Sequence, residues 1–194
     1  MRYEKGHKET TRQRIVEVAS RQFRARGIDA VGLAAIMADA GLTNGAFYAH
    51  FGSKEDLVSD VLTSAQAGRE RTLRTKLEHG ISLDTAIRDY LSPRHRDNPG
   101  GGCPTAALVA DVARRPKATR DAYTARIEDF VAVMAARLPA GSDEERRSKA
   151  IALYGLMVGT LQLARAVSDR GLSDRILASG VDAALALIGP SVSR

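Results

Sequence analysis

The sequence predicts an all-α protein of roughly nine helices. Two observations carry that expectation. Nearly every segment repeats apolar residues with helical period, as Ile15, Ala19 and Phe23 do at four-residue spacing. No stretch of useful length alternates apolar and polar residues as a half-buried strand does, and no internal repeat is found.

The elements follow in order. In "ETTRQRIVEVASRQFRARG", Thr10 or Thr11 is the expected cap of the first helix, and Gly27 ends it in the left-handed conformation. A short helix spans Leu33 to Ala40 and stops at Gly41. Thr43 caps a second short helix through His50, stopped near Gly52. Ser53 opens a long helix reaching residue 78, with Glu55 and Asp56 in the first turn, where the helix dipole favours acids. Leu83 to Leu91 is the next, and "SPRHRDNPGGGCP" reads as a loop. Pro116 separates the helical patterns Thr105 to Arg114 and Lys117 to Leu138. "PAGSDEE" is a turn in which Ser142 and Glu145 form a capping box. Ser148 to Arg170 and Leu172 to Ile188 complete the chain.

With 44% hydrophobic residues, the chain can bury a core. Its net charge of +6 is uneven: residues 1–54 hold nine Lys/Arg against five acids. That suits an anion-binding module, residues 1–54, joined to a near-neutral helical body, residues 55–194. The single cysteine, Cys103, excludes an intramolecular disulfide framework and fits a reducing compartment. The first twenty residues are polar, and the longest apolar run, Ala150 to Gly159, is half a membrane span. A cytoplasmic protein that does not enter the membrane is expected.

The helices at 33–40 and 43–50 are joined by "AGLT". Gly41 permits a tight reversal, Leu42 points back to the core, and Thr43 caps the second helix. This is the spacing of a helix-turn-helix, whose second helix enters the DNA major groove. Leu33, Ile36 and Met37 face the first helix, while Phe47 and Phe51 fall inward. Thr43, Asn44, Gly45, Ala46, Tyr48 and His50 are left outside or at the edge. The Thr43 hydroxyl and free amides at the helix start suit phosphate. Gly45 and Ala46 permit close approach, Ala46 suits a thymine methyl, and Asn44 matches an adenine edge. The Tyr48 hydroxyl reaches phosphate, and Lys54 adds a charge-assisted contact.

The stretch "TRQRIVEVASRQFRARGIDAVGLAAIMADAGLTNGAFYAHFGSKEDLVSDVL" resembles the DNA-binding domain of the TetR family of transcriptional regulators. Ile15, Ala19, Phe23 and Gly27 carry the match, followed by Ile36, Ala40, Gly41, Gly45, Tyr48, His50, Phe51, Ser53, Lys54 and Leu57. The resemblance places the family's usual DNA contacts on Thr43, Asn44, Gly45, Ala46, Tyr48, His50 and Lys54. The chain departs from the pattern at Val31-Gly32, where Ser or Thr is usual, and at Asn44, where Lys is frequent.

The resemblance also implies a homodimer on a palindromic double-stranded operator, with the last two long helices pairing into a four-helix bundle. The sequence supports such an interface. Gly155 and Gly159 form a small-residue face in "AIALYGLMVGTLQLARAV", flanked by Leu163 and Val167, and the last helix presents Ile176, Val181 and Leu185. In the family a small-molecule inducer enters between the middle helices and shifts the population toward a shape that no longer fits DNA. The corresponding positions here are Tyr90, Leu108, Val112, Tyr123, Ile127, Phe130, Met134, Tyr154 and Met157. An uncharged or weakly polar ligand is the expectation. Cys103, after three glycines and near a helix start, is a candidate redox or electrophile sensor, as in some regulators of this family, because helix amides favour thiolate.

No catalytic constellation is expected. "PGGGCP" lacks the Lys–Ser/Thr of a phosphate loop, and His79, His95 and Cys103 match no common metal spacing. No cofactor or metal is called for. Control by repression is the family default. A ligand-independent DNA-binding scaffold is the rival reading.

Overall fold

The computed structural model describes residues 2–138 and 141–189. Among them are nine α-helices, one 3-10 helix and no strand. The order is α1 (Arg2–Arg26), α2 (Leu33–Asp39), the 3-10 helix (Asn44–Ala49), α3 (Lys54–Glu78), α4 (Leu83–Tyr90), α5 (Pro93–Arg96), α6 (Pro104–Val112), α7 (Lys117–Ala135), α8 (Asp143–Ala166) and α9 (Arg170–Ile188).

Several boundaries differ from expectation, each for a local reason. Neither Thr10 nor Thr11 begins α1; the segment before them is rich in Arg, Glu and Lys, which sustain a helix, and Thr11 is buried mid-helix. The segment read as a loop after Leu91 contains α5. Ser92 accepts the His95 amide and Pro93 occupies the first helical position, where its missing N–H costs nothing. The helix after Pro116 ends at Ala135, short of Leu138. The capping box at Ser142 and Glu145 is present, so α8 starts at once at Asp143. Pro139 and Ala140, the start of that turn, lie outside the described residues. Asp169 accepts the Leu172 amide at 2.5 Å, so Arg170 opens α9 instead of closing α8.

Two buried clusters organise the chain. The first joins α1, α2, the 3-10 helix and the start of α3, around Phe23, Ile36, Phe47 and Leu57, and also takes in Leu108, Val112 and Tyr123 from α6 and α7. The second lies among α4, α6, α7, α8 and α9, around Ile87, Met134, Leu153 and Leu161. α3 touches both: its first turns are buried in the first cluster, and Leu73 packs on the second. α8 and α9 cross closely: a Cβ at Gly180 would stand 2.3 Å from Thr160 Cγ2. Only glycine permits that approach.

Candidate functional site

The short 3-10 helix is held from both ends and from beneath. Gly41 adopts φ 66°, and its amide bonds Ala38 O while the Leu42 amide bonds Met37 O, both at 2.9 Å. This double closure is a Schellman ending, which turns the chain sharply out of α2. Phe47 is fully buried, stacked on Phe51 at 5.4 Å, with Tyr48 edge-on at 5.3 Å. Burying one such ring stabilises by about 1.5–3 kcal/mol, enough to fix which face of so short a helix points outward. The Arg12 guanidinium lies 4.3 Å from the Phe51 ring centroid and pairs with Asp60, tying α1 to α3 around the motif.

The outward face is polar and open. Thr43, Asn44, Gly45 and Tyr48 are exposed, Tyr48 at 71%. A Cβ at Gly45 would meet nothing within 4 Å. Ala46 is half-buried against the first cluster, at the edge of this face. Thr43 occupies the cap position, but its hydroxyl makes no cap bond and remains available. The helix is 3-10, not α: the Ala46 and His50 amides bond three residues back, to Thr43 and Phe47. Gly32 caps α2 without a side-chain bond, as its lack of a side chain requires.

Two residues at the edge behave differently. His50 is half-buried with Nδ1 unpartnered. Burial pushes its pKa down, and the cations Lys8 and Arg12 add to the effect, so it is neutral at pH 7. Lys54 donates to the Ile28 carbonyl at 2.8 Å and lies 5.9 Å from the Phe23 ring centroid. One ammonium proton is thus engaged, and two remain for an external acceptor.

The second candidate region is a cavity of about 40 Å³ among α3, α4, α7 and α8. Of the residues expected to line a pocket, Tyr90, Phe130, Met134 and Met157 do. Leu108, Val112 and Tyr123 belong to the first buried cluster, and Ile127 packs against both clusters. Tyr154 lies behind the cavity wall, its ring 4.7 Å from that of Phe130. Its hydroxyl donates to Thr105 at 2.8 Å, and Thr105 shares a 2.7 Å bond with Tyr123. Burial pushes the Tyr123 hydroxyl up to about 12. Arg69, Lys76 and Asp89 stand at the cavity mouth without a signal in the helical pattern, because charged residues on a helix ordinarily face solvent.

Cys103 caps α6 through its backbone. Its amide donates to His95 Nε2 at 2.9 Å, while the thiol makes no cap bond. The sulfur is fully buried, 3.8 Å from the Tyr154 hydroxyl. The His95 ring is oriented by donating from Nδ1 to Tyr90 O at 2.7 Å, which leaves Nε2 as the acceptor.

On α8, Ile151, Gly155, Gly159 and Leu163 form an exposed stripe at four-residue spacing, with Ile151 53% and Leu163 55% exposed. A Cβ at Gly155 or Gly159 would meet nothing within 4 Å. Leu172 on α9 is also exposed, and Val167 is half-buried at the α8 cap. Ile176, Val181 and Leu185 pack partly on the second cluster. Ile151 was not among the residues expected here.

Fold and surface together define a helix-turn-helix protein with an appended helical body. Residues 15–61 match the family model of the bacterial regulatory proteins of the tetR family. It is 42% identical over 57 residues to the HTH-type transcriptional regulator AcrR of Shigella flexneri, covering 29% of this chain and 26% of that protein. It is 38% identical over 74 residues to TtgR of Pseudomonas putida, covering 38% and 35%. The chain thus matches these relatives over about a quarter to a third of their own length. The whole fold is similar to that of Escherichia coli NemR in its reduced form, with a TM-score of 0.75, 21% identity and coverage of 94% and 100%. Among the described residues no helix is long and apolar enough to cross a membrane.

Proposed function

We propose that the chain is a dimeric DNA-binding transcriptional regulator, a repressor released from a palindromic operator by a small-molecule inducer. One observation carries the reading: the exposed polar face of Thr43, Asn44, Gly45 and Tyr48, fixed from beneath by buried Phe47. Asn44 and Ala46 read base edges, while Thr43, Tyr48 and Lys54 hold phosphates. Gly45 allows close approach, and neutral His50 supports the helix at its edge. Residues 1–54 act as the DNA-binding domain, and residues 55–194 bind the ligand and the second subunit. The stripe of Gly155, Gly159 and Leu163, with Val167, Ile176, Val181 and Leu185 beside it, forms the dimer face; its open glycines support this reading. The protein works in the cytoplasm, as a regulator and not an enzyme.

Ligand enters between α3, α4, α7 and α8. The cavity's 40 Å³ is far below the roughly 300–1,000 Å³ of a typical ligand site, so a ligand must widen it to enter. Opening it moves α3, whose first turns support the 3-10 helix. A tenfold loss of operator affinity needs about 1.4 kcal/mol of coupling.

Selection of bound duplexes from random DNA, followed by a compound screen for release, tests the proposal. A protein that stays monomeric and binds no duplex at low ionic strength would falsify it. A second reading assigns sensing to Cys103. Its contact with the Tyr154 hydroxyl, beside the cavity wall, favours that reading, whereas complete burial opposes it. If an oxidant or alkylator still releases DNA from Cys103→Ser, the thiol is not the sensor.

A further inference from the structure

We infer that the effector is a small monocarboxylic acid, with its carboxylate on Arg69 and its apolar body in the chamber beneath. This rests on the ligand-responsive reading above and replaces the uncharged ligand expected from the sequence.

The charges at the cavity mouth are unevenly paired. Asp89 is the acid there, and it is shared by two cations: Lys76 at 2.8 Å and Arg94. Arg69, on the neighbouring turns of α3, has neither a carboxylate partner nor a hydrogen bond among the described residues. Its guanidinium instead lies 5.2 Å from the Tyr90 ring centroid. It is half-buried, and it lines two spaces at once. On one side is the inner chamber with Phe130, Met134 and Met157; on the other is an outer cleft of about 250 Å³ with His95, Asn98 and Gly102. His95 adds no charge there at pH 7, since burial lowers its pKa to about 4.

A planar guanidinium left without a partner beside an apolar chamber recognises a planar anion through two parallel N–H donors. Arg69 is the one cation of the mouth with no carboxylate beside it among the described residues, and one guanidinium fork takes one carboxylate. The second charge of a dianion would meet only cations already bonded to Asp89, at greater desolvation. The inner chamber has room for little more than a water, so the ligand's body must widen it. Two features make that easy. Met134 and Met157 are flexible wall residues. The Lys76–Asp89 pair that links α3 to α4 is solvent-exposed and therefore weak. A carboxylate also competes with Asp89 for Lys76, loosening α4 from α3 as it enters.

Calorimetric titration with matched acid–amide pairs tests this: octanoate and octanamide, 4-phenylbutanoate and 4-phenylbutanamide, 1-naphthoate and 1-naphthamide. At least one acid should bind tenfold or more tightly than its amide, the ratio expected for a partly desolvated charge-assisted bond. Arg69→Gln should erase the preference, and Arg69→Lys should retain part of it; thermal melting checks that both variants are folded. The inference is overturned if no acid exceeds its amide by tenfold, or if the preference survives Arg69→Gln. Binding of ligand-free protein to its selected duplex is measured in parallel. DNA binding without an acid preference sinks this inference alone. An Arg69-dependent acid preference without DNA binding sinks the regulator reading and leaves the acid site standing.

Discussion

Tyr48 and His95 show how single side chains serve different ends here. Tyr48 is exposed and touches the fold chiefly through the edge of Phe47. Tyr48→Ala should therefore change stability by no more than about 0.5 kcal/mol. Losing a phosphate bond should weaken operator binding by about five- to tenfold. Gel-shift titration beside a thermal melt separates the two effects. His95 is interior to the turn between α4 and α6, using one ring nitrogen to donate and the other to accept. Its pKa falls from 6.5 to about 4, chiefly through burial; the bond to the Tyr90 carbonyl opposes the fall, Arg69 on α3 and Arg165 on α8 add to it, and Asp89 on α4 opposes it. The unfolded chain thus takes the proton first. The stability it contributes is complete above about pH 6.5 and is lost as pH falls toward 4. Discounted for partial exposure, the loss is of order 1–2 kcal/mol. Urea midpoints at about pH 7.5 and 5 should fall less for His95→Gln than for the parent chain. Tyr48 was legible in the sequence because helical period alone turns it outward. The roles of His95 and Arg69 were not: His95 depends on the glycine-rich loop turning Cys103 back onto its ring, and Arg69 on α4 and that loop packing beside α3.

At the scale of elements, the glycines of α8 and α9 divide by what their missing side chains face. Gly180 faces Thr160 of the same chain, and a methyl there has no room. Gly180→Ala should cost about 1–3 kcal/mol through overpacking, read as a lowered melting temperature. Gly155 and Gly159 face open space. Gly159→Leu should leave the helical content of the subunit intact, yet block close approach of a second α8. Analytical ultracentrifugation should then find monomers, and operator affinity should fall by at least tenfold as the second half-site is lost. A variant that stays dimeric would move the interface off this stripe. The sequence pattern could show that α8 is apolar around much of its circumference. It could not show which apolar residues also meet their own chain: Ile176, Val181 and Leu185 pack partly on the second cluster, while Ile151 stands open on the stripe. Cap chemistry was more informative than apolar period at boundaries. Ser53, Ser142 and Gly41 mark real ends because each bond is local, whereas Thr10 and Thr11 are absorbed into a helix already running.

For the whole molecule, the question is how the body fixes the direction in which the polar face points. A charged seam joins the loop after α1 and the start of α3 to α6 and α7. The Asp111 carboxylate accepts the Ile28 amide at 3.2 Å, Arg115 pairs with Asp29 at 2.5 Å and Glu55 at 3.6 Å, and Glu55 accepts from Thr119 at 2.6 Å. Further along, Arg24 of α1 donates to Gly100 O at 2.7 Å in the loop beside the outer cleft. These bonds hold the loop after α1, and with it the helix-turn-helix, at one angle to α6 and α7. A two-fold dimer must present its two faces about 34 Å apart, so slack in this seam spreads the spacing and thins the population able to bind. Asp111→Ala together with Arg115→Ala should therefore broaden the distribution of distances between spin labels placed at residue 49 of the two subunits. Helical content should be unchanged, and operator affinity should fall by about three- to tenfold, or roughly 1 kcal/mol. An equally narrow distribution in the double variant would mean that apolar contact of Leu108, Val112 and Tyr123 with the first cluster already suffices to set the angle, and that the ion pairs only decorate it.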